Sequence, residues 1–197
     1  MEIYLVRHTT PLIKKDICYG QTDVLADDAF FIPQAEKIKN CLPDETSAIY
    51  SSPLSRCSRL SLYLQKEKFS ETKIEYCQSL KEMNFGVWEN KRWNDLDQGQ
   101  LHDWMNDFVN KRAPDGESYK ELYERSVNLF AQIPEKEDPV IIVTHSGVIR
   151  SILSYITQTA LADSFASFKP EYGSLVRINC AGKASYTMLH NDSDPII

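Results

Sequence analysis

Apolar residues in this chain occur in short, dense runs. The run PVIIVTH contains β-branched residues without polar alternation, which is typical of a strand buried on both faces. The strand candidates are Ile3–Val6, Ala48–Ser51, Ile74–Cys77, Val140–Val143, Ser174–Ile178 and Ser185–Leu189. A chain with several short strands of this kind is expected to fold around a sheet.

Helical spacing fills the segments between these strands. In GESYKELYERSVNLFAQI, apolar side chains recur every three or four residues, and Ser118 precedes Glu121 at capping-box distance. In SPLSRCSRLSLYLQKEK, we expect Ser52 to be the N-cap and Pro53 to lie in the first turn. A further helix is predicted in GVIRSILSYI. Alternating strands and helices favour an α/β fold with a mostly parallel sheet.

The charge, the apolar runs and the cysteines of the chain indicate in which compartment the protein works and which kinds of partner it can bind. The net charge of −6 disfavours nucleic acid as a partner, because phosphate backbones are held by clustered Lys and Arg. No apolar run approaches the roughly 20 residues of a membrane helix, so no membrane association is expected. The five cysteines are an odd number without C-x-x-C spacing, which indicates free thiols in a reducing compartment. These features predict a cytoplasmic protein.

Cationic and imidazole side chains follow three of the predicted strands. The first strand ends in Arg7 and His8. Arg56 lies one turn into the helix after the second strand, and His145 precedes a helix that starts near Gly147. Ligand sites gather at the carboxyl ends of parallel strands, and a helix N-terminus favours an anion. Each residue alone has an ordinary structural explanation, but together they predict a pocket for a compact dianion such as phosphate.

Four motifs, LVRHTTP, SSPLSR, LKEMNFGVWE and VTHSG, occur in this order between Ile3 and about Arg150. The ordered set resembles the histidine phosphatase superfamily, which has the phosphoglycerate mutase-like fold. This resemblance implies a three-layer α/β/α sandwich with a mostly parallel sheet. Within the superfamily, the segments RHTTP, CYGQTDV, EMNFGVWE and THSGVIR are most similar to the alpha-ribazole phosphatases.

The resemblance also implies a role for each matching residue. His8 is implied to be the nucleophile that becomes phosphohistidine, and Glu82 the general acid that protonates the leaving oxygen. His145 belongs to the catalytic set as well as to the phosphate site. The residues implied to bind the phosphoryl group are Arg7, Arg56, His145, Thr9 and Gln21. No cofactor and no metal ion are implied, and the sequence has no obvious carboxylate cluster with ligand spacing.

These roles set chemical conditions on His8 and Glu82. His8 can attack only as a neutral imidazole, so nearby arginines should disfavour its protonation, and a backbone carbonyl should hold its other nitrogen. Glu82 by itself is an ordinary surface glutamate. Its apolar neighbours Met83, Phe85 and Trp88 are nevertheless expected to remove part of its hydration, as an acid working near neutral pH requires.

The segment 85–114 differs from the rest of the chain because it is rich in Trp, Asn and Asp. We interpret it as an excursion of loop and helix over the active site. No repeat or linker is visible, so a single domain covering residues 1–197 is predicted. Trp88, Trp93 and Trp104 are each expected to pack in the core or lid, and stacking on a substrate ring is the alternative.

Three positions depart from the superfamily pattern. Ser146 stands where a second glycine often follows the histidine, and Leu25 stands where the ribazole members usually have proline. Pro33 stands where a glycine tends to precede the Gln-Ala pair. These changes leave the implied chemistry unchanged and weaken only the assignment of a substrate.

The resemblance therefore implies a metal-independent phosphomonoesterase, with alpha-ribazole 5'-phosphate of cobalamin nucleotide-loop assembly as its substrate. Alternatives with the same fold are a broad-specificity sugar or nucleotide phosphatase and a phosphoglycerate mutase, although cofactor-dependent mutases tend to be longer. An inactive phospho-ligand binding protein is the alternative of another class, but a mere binder needs no proton donor such as Glu82. In each case the partner is a small-molecule phosphomonoester, and the oligomeric state stays open. Substrate selection is expected in the 85–114 excursion and at Tyr19.

Overall fold

The computed structural model describes residues 1–134, 137–181 and 184–190. Its strands are β1 Glu2–Arg7, β2 Ala48–Ser51, β3 Ile74–Tyr76, β4 Val140–Thr144, β5 Leu175–Asn179 and β6 Ser185–His190. Its α-helices are α1 Asp28–Cys41, α2 Ser55–Glu67, α3 Gln98–Asn106, α4 Tyr119–Gln132, α5 Ser146–Thr157 and α6 Ser164–Ser167. Short 3-10 turns cover Gln78–Leu80, Gly86–Trp88, Trp93–Asp95 and Leu161–Asp163.

The strands form a sheet in the order β3-β2-β4-β1-β5-β6. The pairs β3–β2, β2–β4 and β4–β1 are parallel, whereas β5 pairs antiparallel with β1 and β6 pairs antiparallel with β5. Every predicted strand is present, so the prediction of an α/β fold with a mostly parallel sheet is confirmed. The parallel neighbours are joined by crossovers that contain helices, because a tight turn cannot connect them.

Side chains of the central strands alternate between two apolar cores. Ile3 and Leu5 of β1 pack in one core with residues of α4 and α5. Tyr4 and Val6 pack in the other core with residues of α1 and α2. Because successive strand side chains point to opposite faces, a sheet with this pattern must be covered on both sides. The three-layer α/β/α sandwich is confirmed.

The helix α4 begins as the sequence predicts. The Ser118 side chain accepts a hydrogen bond from Glu121 N, and the Glu121 side chain accepts one from Ser118 N, which completes the capping box. This reciprocal pair satisfies two amide donors that would otherwise lack partners at the helix end. The first turn of α4 is therefore well anchored, and Arg125 of this helix contacts the segment that carries Glu82.

The start of α2 differs from the prediction. The helix begins at Ser55, and its N-cap is Leu54, which makes no side-chain capping bond. The prediction of an N-cap at Ser52 with Pro53 in the first turn is wrong. Instead, Asp23 from a distant loop accepts hydrogen bonds from Ser55 N at 2.7 Å and Ser55 Oγ at 2.6 Å. A carboxylate is favourable at a helix N-terminus, so this long-range cap leaves Ser52 available for another contact.

The 85–114 segment contains two 3-10 turns and α3. Trp88 is buried in a small apolar cluster, and its ring meets the ring of Trp104 edge to face, with centroids 5.6 Å apart. Such T-shaped contacts are favourable for aromatic pairs. The expectation that these tryptophans pack in the core or lid agrees with the burial of Trp88 and with the packing of Trp104 against it.

Two predictions concern the whole chain. Within the described ranges, no helix has the length and apolar character needed to cross a membrane. The single domain over residues 1–197 includes residues outside those ranges and stays a prediction.

Candidate active site

Strand register brings the two histidines side by side. Arg7 of β1 pairs with Thr144 of β4, so the next residues, His8 and His145, leave the sheet at the same edge. His8 N also donates to Thr144 O at 3.0 Å. The two imidazole rings are 5.1 Å apart, and His8 and His145 are only 1% and 0% exposed. The predicted convergence of these strand ends is therefore present.

The hydrogen bonds of His8 define its tautomer. Its Nδ1 lies 2.7 Å from Thr9 O, and a carbonyl can only accept, so Nδ1 carries the proton. Its Nε2 then has a free lone pair, and Arg56 Nε donates toward it at 3.3 Å. Burial is the largest cause that holds the pKa of His8 well below its usual value, and the charges of Arg56 and Arg7 lower it further. His8 is thus a neutral imidazole, as predicted, with burial contributing more than the arginines.

Arg56 lies in the first turn of α2 and is completely buried. Its Nη1 donates to Thr22 O at 3.0 Å and its Nη2 to Gly20 O at 2.7 Å. Carbonyl partners satisfy the donors of a guanidinium but do not neutralise its charge. Arg56 therefore keeps a positive charge directed at the edge of the sheet, where an oxyanion would be stabilised.

Arg7 and Thr9 flank His8 and carry unpartnered polar atoms. Arg7 Nη1 donates to Pro170 O at 2.7 Å, while Arg7 Nε is buried without a hydrogen-bond partner among the described residues. Thr9 Oγ1 is likewise buried and unpartnered in that part of the chain. Buried donors are normally satisfied, and such exceptions mark places where another acceptor fits. Both atoms suit an oxyanion beside His8.

His145 lies between a hydroxyl and a thiol. Its Nε2 is 2.8 Å from Ser52 Oγ and 3.5 Å from Cys57 Sγ. Burial, followed by the charge of Arg56, holds the pKa of His145 well below its usual value. Ser52 was not predicted as a site residue, because its position before a proline and a helix is typical of a cap. A second neutral imidazole is therefore fixed beside His8.

The Glu82 carboxyl group lies against the first residues of α5, which directly follow His145. Its Oε2 accepts hydrogen bonds from Gly147 N at 3.2 Å and Ser146 Oγ at 3.4 Å, and its Oε1 accepts one from Met83 N at 3.0 Å. The group at this helix N-terminus is therefore the Glu82 carboxyl, whereas the sequence suggested a phosphate there. Gly147 permits the contact, because a Cβ on it would lie 2.3 Å from Glu82 Oε1.

Gln21 is placed beside the acid. Its Nε2 donates to Glu82 O at 3.1 Å, and its amide nitrogen donates to Glu89 Oε1 at 2.8 Å. The sequence predicted a contact with the phosphoryl group for Gln21, and that contact stays a prediction. In this structure Gln21 supports the backbone of Glu82.

Two tyrosines close the site above the arginines. The guanidinium carbon of Arg7 is 3.9 Å from the centre of the Tyr172 ring, and that ring is 5.6 Å from the ring of His8. The Tyr19 ring lies 5.1 Å from the guanidinium carbon of Arg56. The hydroxyl groups of Tyr19 and Tyr172 are hydrogen-bonded at 2.9 Å. Tyr172 carries no sequence signal, since it approaches the site only because β5 pairs with β1.

A cavity of about 200 Å³ is lined in part by Glu82. Its aromatic lining residues are Tyr19, Phe85, Trp93, Tyr119 and Phe165. Lys15 and Arg150 also line it. The expected apolar surroundings of Glu82 are present in part, because Met83 and Phe85 line the same cavity while Trp88 packs elsewhere. The cavity is suited to an organic group whose reacting oxygen faces Glu82.

Within the described ranges, no group of three or more His, Cys, Asp or Glu side chains is arranged to hold a metal ion. The cationic groups described at this sheet edge are Arg7 and Arg56, and the side chains of His8, His145, Tyr19 and Tyr172 lie beside them. The class that fold and site define is an α/β protein with a buried cationic site for an oxyanion, facing a carboxyl group.

This class corresponds to a known family. The model of the histidine phosphatase superfamily (branch 1) matches residues 3–193, and the chain belongs to that superfamily. The resemblance inferred from the sequence motifs is confirmed.

Similar proteins extend this result. A metal-independent phosphoserine phosphatase of Arabidopsis thaliana is 32% identical over 121 residues, which are 58% of this chain and 50% of the relative. The chain thus spans half the length of this curated relative. Among solved structures, the alpha-ribazole phosphatase of Shigella flexneri has a TM-score of 0.85 at 20% identity, covering 99% of this chain and 100% of that one. A mycobacterial glucosyl-3-phosphoglycerate phosphatase has a TM-score of 0.78 at 19% identity, covering 90% and 89%. These two structures show a shared fold.

Proposed function

We propose that this chain is a phosphomonoesterase that uses His8 as its nucleophile. The observation that carries the proposal is the state of the His8 ring, which is buried and neutral, with Nδ1 held by Thr9 O and the lone pair of Nε2 beside Arg56. A histidine nucleophile divides the hydrolysis into two easier displacements. The family membership and the phosphatase relative support the same reaction class.

The residues at the site account for each bond change. First, Nε2 of His8 forms a bond to phosphorus, the bond from phosphorus to the leaving oxygen breaks with its electron pair on that oxygen, and Glu82 donates a proton to it. Water then attacks the phosphohistidine, the bond between nitrogen and phosphorus breaks, and the Glu82 carboxylate accepts a proton from that water. Arg7 and Arg56 stabilise the charge on the transferred oxygens as cations, and His145 does so as a neutral hydrogen-bond donor, since positioning and cations dominate phosphoryl transfer.

For the substrate we propose alpha-ribazole 5'-phosphate. Support comes from the aromatic walls of the cavity beside Glu82, which suit a planar heterocyclic leaving group. Trp93 lines this cavity, whereas Trp88 and Trp104 do not line it and pack against each other instead. Stacking of a ring on an aromatic side chain is worth roughly 1–3 kcal/mol, so Trp93→Ala should raise KM about tenfold or more for this substrate. KM for glycerol phosphate, which has no ring, should stay within threefold.

A second candidate is a phosphorylated hydroxy or amino acid. Lys15 and Arg150 line the same cavity and would attract a carboxylate on the leaving group. The phosphoserine phosphatase relative agrees with this alternative. A kinetic panel of alpha-ribazole 5'-phosphate, phosphoserine and 3-phosphoglycerate separates the candidates. A kcat/KM at least a hundredfold higher for one of the two acids would overturn the ribazole proposal.

The phosphohistidine is tested by rapid quench with phosphorus-labelled substrate. The label should appear on the protein in an adduct that acid destroys and base preserves, and it should be absent from His8→Ala. A labelled adduct of equal yield in His8→Ala would exclude the proposed nucleophile.

We further propose that the reaction needs no metal ion, because the proposed steps use only side chains of this chain. The Arabidopsis relative, a metal-independent phosphoserine phosphatase, supports the same view. Activity should be unchanged after dialysis against a chelator. Loss of activity that a divalent cation restores would contradict this proposal.

A further inference from the structure

The segment that carries Glu82 is not held by strand pairing. It lies between the 3-10 turns Gln78–Leu80 and Gly86–Trp88, outside the sheet. A loop of this kind has few main-chain partners, so its position depends on side chains that reach it. The contacts around residues 79–84 therefore identify what holds the proposed acid in place.

Arg125 of α4 supplies more of these contacts than any other side chain. Its Nη1 donates to Ser79 O at 2.8 Å and to Lys81 O at 2.8 Å. Its Nη2 donates to Glu82 O at 2.9 Å. One guanidinium thus binds three carbonyls of the segment, including that of the acid itself. The planar, rigid fork of arginine suits several simultaneous acceptors, which an ammonium group would not reproduce.

Glu117 orients this guanidinium. Arg125 Nη2 is 2.6 Å from Glu117 Oε1, and Arg125 Nε is 3.1 Å from Glu117 Oε2, so the pair is bidentate. Glu117 Oε1 also accepts a hydrogen bond from Asn84 N at 2.8 Å. The pair therefore binds the backbone before Glu82 and after it. The side chains are 22% and 13% exposed, which protects the contact from solvent screening.

The same helix offers an ion pair that reaches no active-site segment. Lys120 Nζ lies 3.9 Å from Glu124 Oε1, and these side chains are 58% and 54% exposed. Pairs of this kind contribute little to stability. Lys120 is therefore a matched control for Arg125, because it removes a cation from α4 without touching the Glu82 segment.

We propose that Arg125 and Glu117 are positioning residues for Glu82, which they hold against the leaving oxygen of the substrate. The proposal rests on the proposed role of Glu82 as the general acid. Loss of Arg125 should displace the carboxyl group and leave the nucleophile and the phosphate-binding arginines in place. The defect should then depend on how strongly the leaving group needs a proton.

The test compares kcat/KM for p-nitrophenyl phosphate, whose leaving group needs little protonation, with kcat/KM for an alkyl phosphate. A misplacement of about 1 Å can cost on the order of 100-fold, so Arg125→Met should lower the alkyl phosphate value by about 10- to 100-fold. The p-nitrophenyl phosphate value should fall less than threefold, and Lys120→Met should leave both values unchanged. An equal loss on both substrates in Arg125→Met would overturn the positioning role.

A variant of Glu82 separates the two hypotheses. Glu82→Gln should show the same selective defect, and the double variant with Arg125→Met should lose little more, because both changes affect one group. If Glu82→Gln is selective and Arg125→Met is not, the positioning role is wrong and the acid role stands. If Glu82→Gln itself lacks selectivity, the acid role is wrong and the positioning role is overturned with it.

A milder substitution tests the proposal in case the Arg125→Met variant does not fold. Glu117→Gln keeps an amide oxygen for Asn84 N but removes the charge that orients Arg125. It should show the selective defect at about 3- to 10-fold, within the range of one ordinary intramolecular hydrogen bond. If Arg125→Met does not fold, this variant decides the matter, and equal kcat/KM losses on both substrates would overturn the proposal.

Discussion

The two halves of the site are built in different ways. His8 and His145 follow neighbouring parallel strands whose register is fixed by the sheet, with Arg7 paired to Thr144. Glu82 lies on an irregular segment and depends on hydrogen bonds from side chains and from the start of α5. The first half could be displaced only by a shift of the central strands, whereas the second can be displaced by one substitution. Changes in the two halves should therefore have different kinetic signatures.

The largest effect is expected in the half of the site that the strands position, which contains His8 and His145. His8→Ala should lower kcat by at least about 10⁴-fold on every substrate, because removal of a nucleophile leaves only binding and electrostatic effects. The loss should not depend on the leaving group. The exposed His102 is the control, and His102→Ala should keep full activity in a steady-state assay. A residual activity of His8→Ala above one per cent would show that another group acts as the nucleophile.

The second-largest effect is expected in the other half of the site, where Glu82 lies on an irregular segment. Glu82→Gln should lower kcat/KM by about 10²- to 10⁴-fold for alkyl phosphates, the usual contribution of a general acid. For p-nitrophenyl phosphate the loss should be at least tenfold smaller. The carboxamide keeps the size of the side chain, so circular dichroism should be unchanged. A uniform loss across leaving groups would place Glu82 with the phosphate-binding residues instead.

Arg56 and Arg59 provide a comparison within one helix. Arg56 is fully buried against His8, whereas Arg59 is 41% exposed and pairs with Asp28 at 2.7 Å. Removal of one preorganised donor to a developing anion typically costs 10²- to 10³-fold, so Arg56→Lys should fall in about this range. Arg59→Lys should stay within twofold. Equal rates for the two variants would refute the assignment of Arg56 to the oxyanion site.

The smallest effect concerns stability. The pKa values of His8 and His145 are depressed in the folded protein, mainly by burial, while in the unfolded chain imidazoles titrate near 6.5. Below about pH 6.5 the unfolded chain therefore binds protons that the folded protein does not, and the free energy of unfolding falls as the pH falls. Each group contributes up to about 1.4 kcal/mol per pH unit.

Urea unfolding at pH 7.5 and pH 5.5 measures this dependence. His145→Gln should reduce the pH dependence by roughly half, whereas His102→Gln should leave it unchanged. An unaltered dependence in His145→Gln would mean that this imidazole is protonated in the folded state.

The strand-positioned half could be predicted from the sequence because its information is local. A dense apolar run predicts a strand, and the residue that follows it is placed by the sheet. The first turn of α4 was predictable for the same reason, since Ser118 and Glu121 are close in the chain. Glu82 was recognised only through its motif, and nothing local indicated which residues hold it.

The parts that were missed depend on contacts between distant segments. Asp23 caps α2 from a loop, so the local pattern at Ser52 was misleading, and its hydroxyl contacts His145 instead. Tyr172 reaches the site through antiparallel pairing of β5 with β1. The helix α1 was not predicted either, because it contains Pro33 within its first two turns. Proline at this position removes one hydrogen bond within the helix, while the buried side chains of α1 still pack in the core.

Gly147 sets a boundary on how this site can evolve. An added methyl group would meet Glu82 Oε1 at 2.3 Å and Leu122 Cδ2 at 2.9 Å, so any side chain must displace both the carboxyl group and the Leu122 side chain. The preceding position tolerates a serine, whose hydroxyl contacts the same carboxylate at 3.4 Å. A reaction that depends on Glu82 in this position therefore requires glycine at position 147, whereas position 146 accepts a side chain that hydrogen-bonds to the same carboxyl group.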